Sequence, residues 1–134
     1  MNKSQRDEIC RQALDVRERA YAPYSGFAVG AALLSDSGTV YAGVNVENVC
    51  YPSGICAERT AAFKAVCAGE RNFTAIAVVS EGAAAPCGGC RQVLAEFGRD
   101  MTIILMEPDG RERRETTLRE LLPEGFYPES LPRN

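Results

Sequence analysis

The sequence predicts an α/β protein with helices packed on both faces of a mixed sheet. Three observations carry that expectation. Helical and strand-like segments alternate in the order α-β-β-α-β-α-β-β-α. The run TAIAVVS at 74–80 is nearly all apolar, as a buried strand is. The helical segments between strands are long enough for right-handed crossovers, so some of the pairing is parallel.

Each element has its own signal. From Ser4 to about Ala20, the apolar residues Ile9, Ala13, Leu14 and Val16 recur at near-helical spacing among charges, with Ser4 placed as N-cap. Tyr21 to Gly26, containing Pro23 and Ser25, interrupts the pattern. Phe27 to Leu34 and Thr39 to Val46 are apolar runs on either side of Asp36, Ser37 and Gly38, which suggests a hairpin. Cys56 to Ala68 is rich in Ala, Glu, Arg and Lys, lacks Gly and Pro, and is followed by Gly69, so it reads as a helix with its C-terminal cap. Thr74 to Ser80 is the next strand. Cys87 to Phe97 is helical in composition and lies between Pro86 and Gly98. Met101 to Met106 is a further strand. Asp109 and Gly110 turn the chain into a short edge strand, and Thr116 or Thr117 caps a final helical turn through Leu122, stopped by Pro123. No repeat, low-complexity tract or linker divides the chain, so residues 1–134 read as one domain.

Composition narrows the function. Hydrophobic residues are 46% and charged residues 25% of the chain, with no run of about 18 apolar residues, so no membrane partner is expected. The start Met1, Asn2, Lys3, Ser4 shows no apolar segment followed by a cleavage site, which leads to an expectation of a cytoplasmic protein. A formal net charge of −3 provides no field for collecting phosphate backbones, so a nucleic-acid polymer is not an expected partner. Arg111, Arg113 and Arg114 are interleaved with Glu112 and Glu115 and read as a solvated face.

There is no histidine, and there are six cysteines. Ser-His and Cys-His dyads are therefore excluded, and a transition-metal site would have to be built from Cys, with or without Asp and Glu. Zinc accepts thiolates readily and is the leading metal. Cys56-Ala57-Glu58-Arg59 opens one expected helix and Pro86-Cys87-Gly88-Gly89-Cys90-Arg91 opens another. Positions three apart share a helix face, so Cys87 and Cys90 can meet one ion and Cys56 can supply a third ligand. Three ligands leave one tetrahedral position open, which distinguishes a catalytic zinc from a structural one. Helix N-termini favour the thiolate form. Three thiolates leave the centre net negative, so nearby cations are expected, and Arg59 and Arg91 are placed to donate to ligand sulfur. Glu58 is not needed as a ligand and is the candidate proton carrier. Cys10, Cys50 and Cys67 read as small buried hydrophobes, and Cys50 is also the nearby candidate for a fourth ligand.

Such a pairing of motifs matches the signature of zinc-dependent deaminases, in which three cysteines can replace a His/Cys/Cys set and a Glu stands outside the ligands. The chain resembles the short cytidine deaminases of the homotetrameric type. The likeness rests on PYSGFAVGAAL at 23–33, GVNVENVCYPSGICAERTAAFKAV at 43–66, AIAVVS at 75–80, PCGGCRQVLAEF at 86–97 and TLRELLPEGF at 117–126. It implies a three-layer α/β/α sandwich around a five-stranded mixed sheet. It also implies one Zn2+ per chain on Cys56, Cys87 and Cys90, with Glu58 moving protons and Arg59 bonding to ligand thiolate. Phe27 would pack against the pyrimidine, Asn45 and Glu47 would hold the ribose hydroxyls, and the Ala57 backbone would meet the base. Tyr51 and Phe126 would complete a neighbouring subunit's pocket. The implied reaction is hydrolytic deamination of cytidine and deoxycytidine to uridine and deoxyuridine with release of ammonia, in nucleoside salvage.

Taken without the resemblance, several of these residues have second readings. Asn45 and Glu47 alternate at a strand end, so they face the same way, yet such side chains equally often cap backbone. Phe27 alone reads as core, and Phe126 alone as a tail residue packed on its own domain. The competing functions are deamination of another aminated heterocycle, as in blasticidin-type deaminases, a zinc-stabilised binding module, and a polynucleotide editor. The NVEN segment opposes the first, the missing fourth ligand the second and the acidic charge the third.

Overall fold

The computed structural model describes residues 1–132. Its elements are α1 (Lys3–Arg17), β1 (Gly30–Ser35), β2 (Val40–Val44), α2 (Ala57–Cys67), β3 (Phe73–Val79), α3 (Gly88–Ala95), β4 (Thr102–Met106), β5 (Glu112–Thr117) and α4 (Leu118–Leu121). The strands form one sheet in the order β2-β1-β3-β4-β5. Only β3 and β4 pair in parallel, joined by α3, and the other three pairings are antiparallel. The sheet is therefore mixed, as the spacing of helices and strands implies.

Alternation along the central strands divides the core in two. Ala32, Leu34, Ala75, Ala77, Val79, Ile104 and Met106 face α1, which contributes Ile9 and Ala13. Leu33, Ile76, Val78, Ile103 and Leu105 face the opposite layer, built from α2, α3 and α4 through Ala61, Ala65, Leu94 and Leu118. Helices thus cover both faces in three layers. Two glycines let the helices approach closely. A Cβ on Gly30 would lie 2.3 Å from the Ala13 carbonyl oxygen of α1, and one on Gly43 would lie 2.5 Å from the Ala61 nitrogen of α2.

Both sheet edges are occupied by charge. At β2 the Lys64 ammonium donates to the Ala42 carbonyl. At β5, Arg6 of α1 pairs with Glu112 at 2.5 Å and Glu115 at 2.7 Å. Such side chains blunt the unpaired ladder groups of an edge strand.

Three expectations are corrected. The first helix is capped by Asn2, not Ser4: Asn2 Oδ1 accepts from the Gln5 amide at 2.8 Å, and Gln5 returns the bond to the Asn2 amide at 2.9 Å. This reciprocal capping box satisfies two end groups at once, which Ser4 could not do from inside the first turn. That helix ends at Arg17 and not Ala20, because Tyr21 leaves it to bridge Val46. The first strand begins at Gly30, not Phe27: the Phe27 carbonyl and the Val29 amide are bonded by the Asn45 side-chain amide, which takes the place of ladder bonds there.

Candidate active site

Two helix starts meet over one face of the sheet. Cys56 is the N-cap of α2 and Cys87 the N-cap of α3, while Cys90 lies in the first turn of α3. The sulfurs of Cys56, Cys87 and Cys90 all lie within 4.8 Å of one another, and those of Cys56 and Cys87 are 3.9 Å apart. A tetrahedral zinc with Zn–S bonds of ~2.3 Å requires sulfurs about 3.8 Å apart, so the cluster has the span and the donor chemistry of such a site. Among the described residues no other Cys, Asp or Glu joins the group, and Cys50 is not part of it. Cys50 and Cys67 are exposed and only Cys10 is partly buried, which corrects the reading of all three as buried hydrophobes.

Arg59, one turn into α2, serves all three sulfurs. Its Nε donates to Cys90 Sγ at 3.4 Å, and its Nη2 lies 3.7 Å from both Cys56 and Cys87. Those bonds, with Cys90 first, push the arginine pKa further up. Without metal the cluster shares its protons unequally. Hydrogen bonds from the Cys90 and Cys87 thiols, with the Arg59 charge, hold Cys56 down at about 5, while its bond to Cys56 and burial push Cys90 up. Arg91, expected at sulfur, points elsewhere: it donates to the carbonyls of Pro86 and Leu121, both at 2.7 Å.

Glu58 occupies the first turn of α2 and is only 5% exposed. Burial, helped by the nearby Cys56 charge and opposed by weaker pulls from its own backbone amide and from Arg59, raises its carboxyl to about 7. A carboxyl that titrates near neutrality can both accept and return a proton.

Beside this centre lies an open cleft of about 480 Å3, lined in part by Tyr24, Asn45, Glu47, Tyr51 and Cys56. That volume suits a small polar ligand. Glu47 is held by the Tyr24 and Ser25 amides at 2.9 and 3.0 Å and by the Ser25 hydroxyl. The hydroxyl bond leads the effects that keep its carboxylate pKa below the usual value. Asn45 is buried and makes two backbone bonds, accepting from the Val29 amide at 2.9 Å and donating to the Phe27 carbonyl at 2.8 Å. One Nδ2 hydrogen and the remaining carboxylate lone pairs of Glu47 are left for a ligand. The backbone-capping reading of Asn45 is thus the one observed.

Phe27 is 41% exposed and is not core. Tyr51 and Tyr24 meet edge to face, with centroids 5.8 Å apart, at the cleft wall. Phe126 is 55% exposed and is not among the cleft-lining residues of its own chain. The roles of Ser25 and Arg91 are not legible in the sequence, since each depends on a partner brought close by folding, the Glu47 carboxylate for Ser25 and the Leu121 carbonyl for Arg91.

Three thiols at two helix starts, a buried carboxyl and an adjoining ligand-sized cleft are the parts that a zinc-dependent hydrolytic enzyme requires. Residues 3–106 match the sequence model of the family described as the cytidine and deoxycytidylate deaminase zinc-binding region. The cytidine deaminase of Sporosarcina psychrophila is 49% identical over 128 residues, covering 93% of each chain. A cytidine deaminase crystal structure from Burkholderia pseudomallei superposes with a TM-score of 0.85 at 46% identity, covering 94% of this chain and 100% of that one. The E47Q mutant cytidine deaminase from Mycobacterium tuberculosis gives a TM-score of 0.79 at 37% identity, covering 90% and 96%. This chain belongs to the cytidine and deoxycytidylate deaminase family, and its cofactor is zinc.

Proposed function

We propose that the protein catalyses hydrolytic deamination of cytidine and deoxycytidine to uridine and deoxyuridine with release of ammonia. The observation that carries this reading is the buried Glu58 carboxyl, two residues from a three-thiol cluster in a family of zinc deaminases. Cys56, Cys87 and Cys90 would hold the zinc, which when bound supplies the Lewis acidity that activates water. Glu58 takes one proton of that water and gives it to ring nitrogen 3 while the oxygen bonds to carbon 4. It then carries the hydroxyl proton to the amino group, which leaves as ammonia as the carbon 4 carbonyl forms. One carboxyl serves both transfers because each proton it takes up is given back within the same turnover.

Binding falls to the neighbouring residues. The free Nδ2 hydrogen of Asn45 and the carboxylate of Glu47 are offered to vicinal ribose hydroxyls, the Ala57 backbone to the base, and the half-exposed Phe27 ring to its edge. Phe126 is assigned to the pocket of a neighbouring copy in a homotetramer, which accounts for a large aromatic exposed on a single chain, whereas Tyr51, expected there too, lines the cleft of its own chain. We read residues 1–134 as one deaminase domain working in pyrimidine nucleoside salvage in the cytoplasm, a compartment that keeps thiol ligands reduced. No helix among the described residues is long and apolar enough to cross a membrane. The direct test is the ultraviolet absorbance change of cytidine incubated with zinc-loaded protein. Loss of that change with a chelator and its return with zinc supports the reading, while no change with fully loaded protein overturns it.

A further inference from the structure

The C-terminal segment is fastened to α3 by bonds that the zinc chemistry does not require. Arg91 directly follows Cys90 on α3, and its forked guanidinium spans two backbone carbonyls that belong to distant parts of the chain. Nε donates to Pro86, the residue before Cys87, and Nη1 donates to Leu121, at the end of α4. The Leu121 carbonyl is one of the terminal acceptors a helix leaves unpaired. One residue further along α3, Gln92 Nε2 donates to the Phe126 carbonyl at 2.7 Å. Just beyond the second anchor Tyr127, only 7% exposed, donates its hydroxyl back to the Leu122 carbonyl at 2.9 Å. Glu124 adopts a left-handed backbone, with φ of 51°, inside the same stretch. The segment is thus held in one shape, with Tyr127 turned inward and Phe126 turned out.

We propose that Arg91 and Gln92 are positioning residues: Arg91 clamps the Cys87 loop to the end of α4, and Gln92 fixes the backbone that presents Phe126. The two arginines near the thiols divide the work, Arg59 serving sulfur and Arg91 serving the carbonyls that hold the sulfur-bearing loop. An arginine is suited to this task because its planar fork reaches two acceptors at fixed separation, which a lysine ammonium cannot do. The inference goes beyond the proposed reaction and rests on it only in treating Cys87 and Cys90 as metal ligands.

Two rates test the division of labour in the zinc-loaded full-length protein: zinc transfer to a chromophoric chelator, and amide hydrogen exchange in peptides spanning 121–132. Arg91→Ala should accelerate both, zinc transfer by about tenfold, the usual scale for losing a group that orients a metal ligand. Tail exchange should quicken by about fivefold for the loss of one hydrogen bond. Gln92→Ala should accelerate tail exchange alone. Arg91→Lys keeps the cation without the fork and should show both accelerations to a smaller degree, and it decides the matter if Arg91→Ala does not fold. An Arg91 variant that leaves either rate at the wild-type value overturns the clamp, and faster zinc transfer in Gln92→Ala overturns the division between the two residues. Failure of the metal assignment would appear separately, as wild-type protein that takes up no zinc. Tail exchange would then still decide the anchoring.

Discussion

At the scale of single residues, Glu58 concentrates the chemistry, and its burial makes two predictions. Glu58→Gln should retain zinc and fold but lose about 10²–10⁴-fold in turnover, since an amide cannot shuttle a proton. Metal analysis together with initial rates measures this, and near-wild-type turnover would sink the mechanism. The second prediction concerns the chelated protein. Folding raises the Glu58 pKa from 4.5 to about 7, so as pH climbs from 4.5 the unfolded chain loses this proton first and ionisation favours unfolding. The stabilising effect of the neutral carboxyl is complete below 4.5, declines through the window to about 7 and is gone above it. Glutamine has no such dependence. The stability of metal-free Glu58→Gln relative to metal-free wild type should therefore rise across that window and level off on the order of 3 kcal/mol, as read from denaturant midpoints at several pH values. A flat difference would mean that Glu58 is well solvated. Arg59 favours the ionised form of the same carboxyl. Arg59→Ala should accordingly move the acidic limb of the pH–rate profile to higher pH, and an unmoved limb would confine Arg59 to holding sulfur.

At the scale of elements, the site depends on where two helices begin. Cys56 and Cys87 are both N-caps, so each sulfur stands at the positive end of a helix, and Cys90 follows one turn into α3. Cys87→Ala leaves two sulfurs, too few for a stable centre, and elemental analysis should find most of the zinc gone. Full retention would remove Cys87 from the ligand set. The seat of α2 is set by Gly43, since any Cβ there would press on the Ala57 carbonyl at 2.7 Å and the Ala61 amide at 2.5 Å. Both contacts are backbone and cannot swing aside. Gly43→Ala should therefore cost about 1–3 kcal/mol in urea unfolding. Because α2 carries Glu58 and a ligand, the rate should fall with it, and an unchanged unfolding midpoint would show that the helix is free to lift.

At the scale of the whole molecule, an exposed Phe126 outside its own cleft directs attention to assembly. If each site takes Glu58 from one chain and Phe126 from another, refolding inactive Glu58→Ala and Phe126→Ala chains together in equal amounts should restore up to roughly one quarter of wild-type activity. Activity no higher than the sum of the parents, in a mixture shown to contain hybrids, would rule out the shared pocket. The sequence by itself determined the alternation of helices and strands, the mixed sheet and the set Cys56, Glu58, Arg59, Cys87 and Cys90. Those features are written in spacings of a few residues, where one helix turn or one strand alternation fixes which side chains share a face. Tertiary structure alone decided that Arg59 and not Arg91 meets the sulfurs, and that Asn45 bonds the chain at Phe27 and Val29 in place of ladder bonds. It also decided that Cys50 and Cys67 stay exposed and that the tail is fastened to α3. In each case the deciding partner is a surface or a backbone group distant in sequence. Its position is set by how layers pack, and no local pattern carries that information.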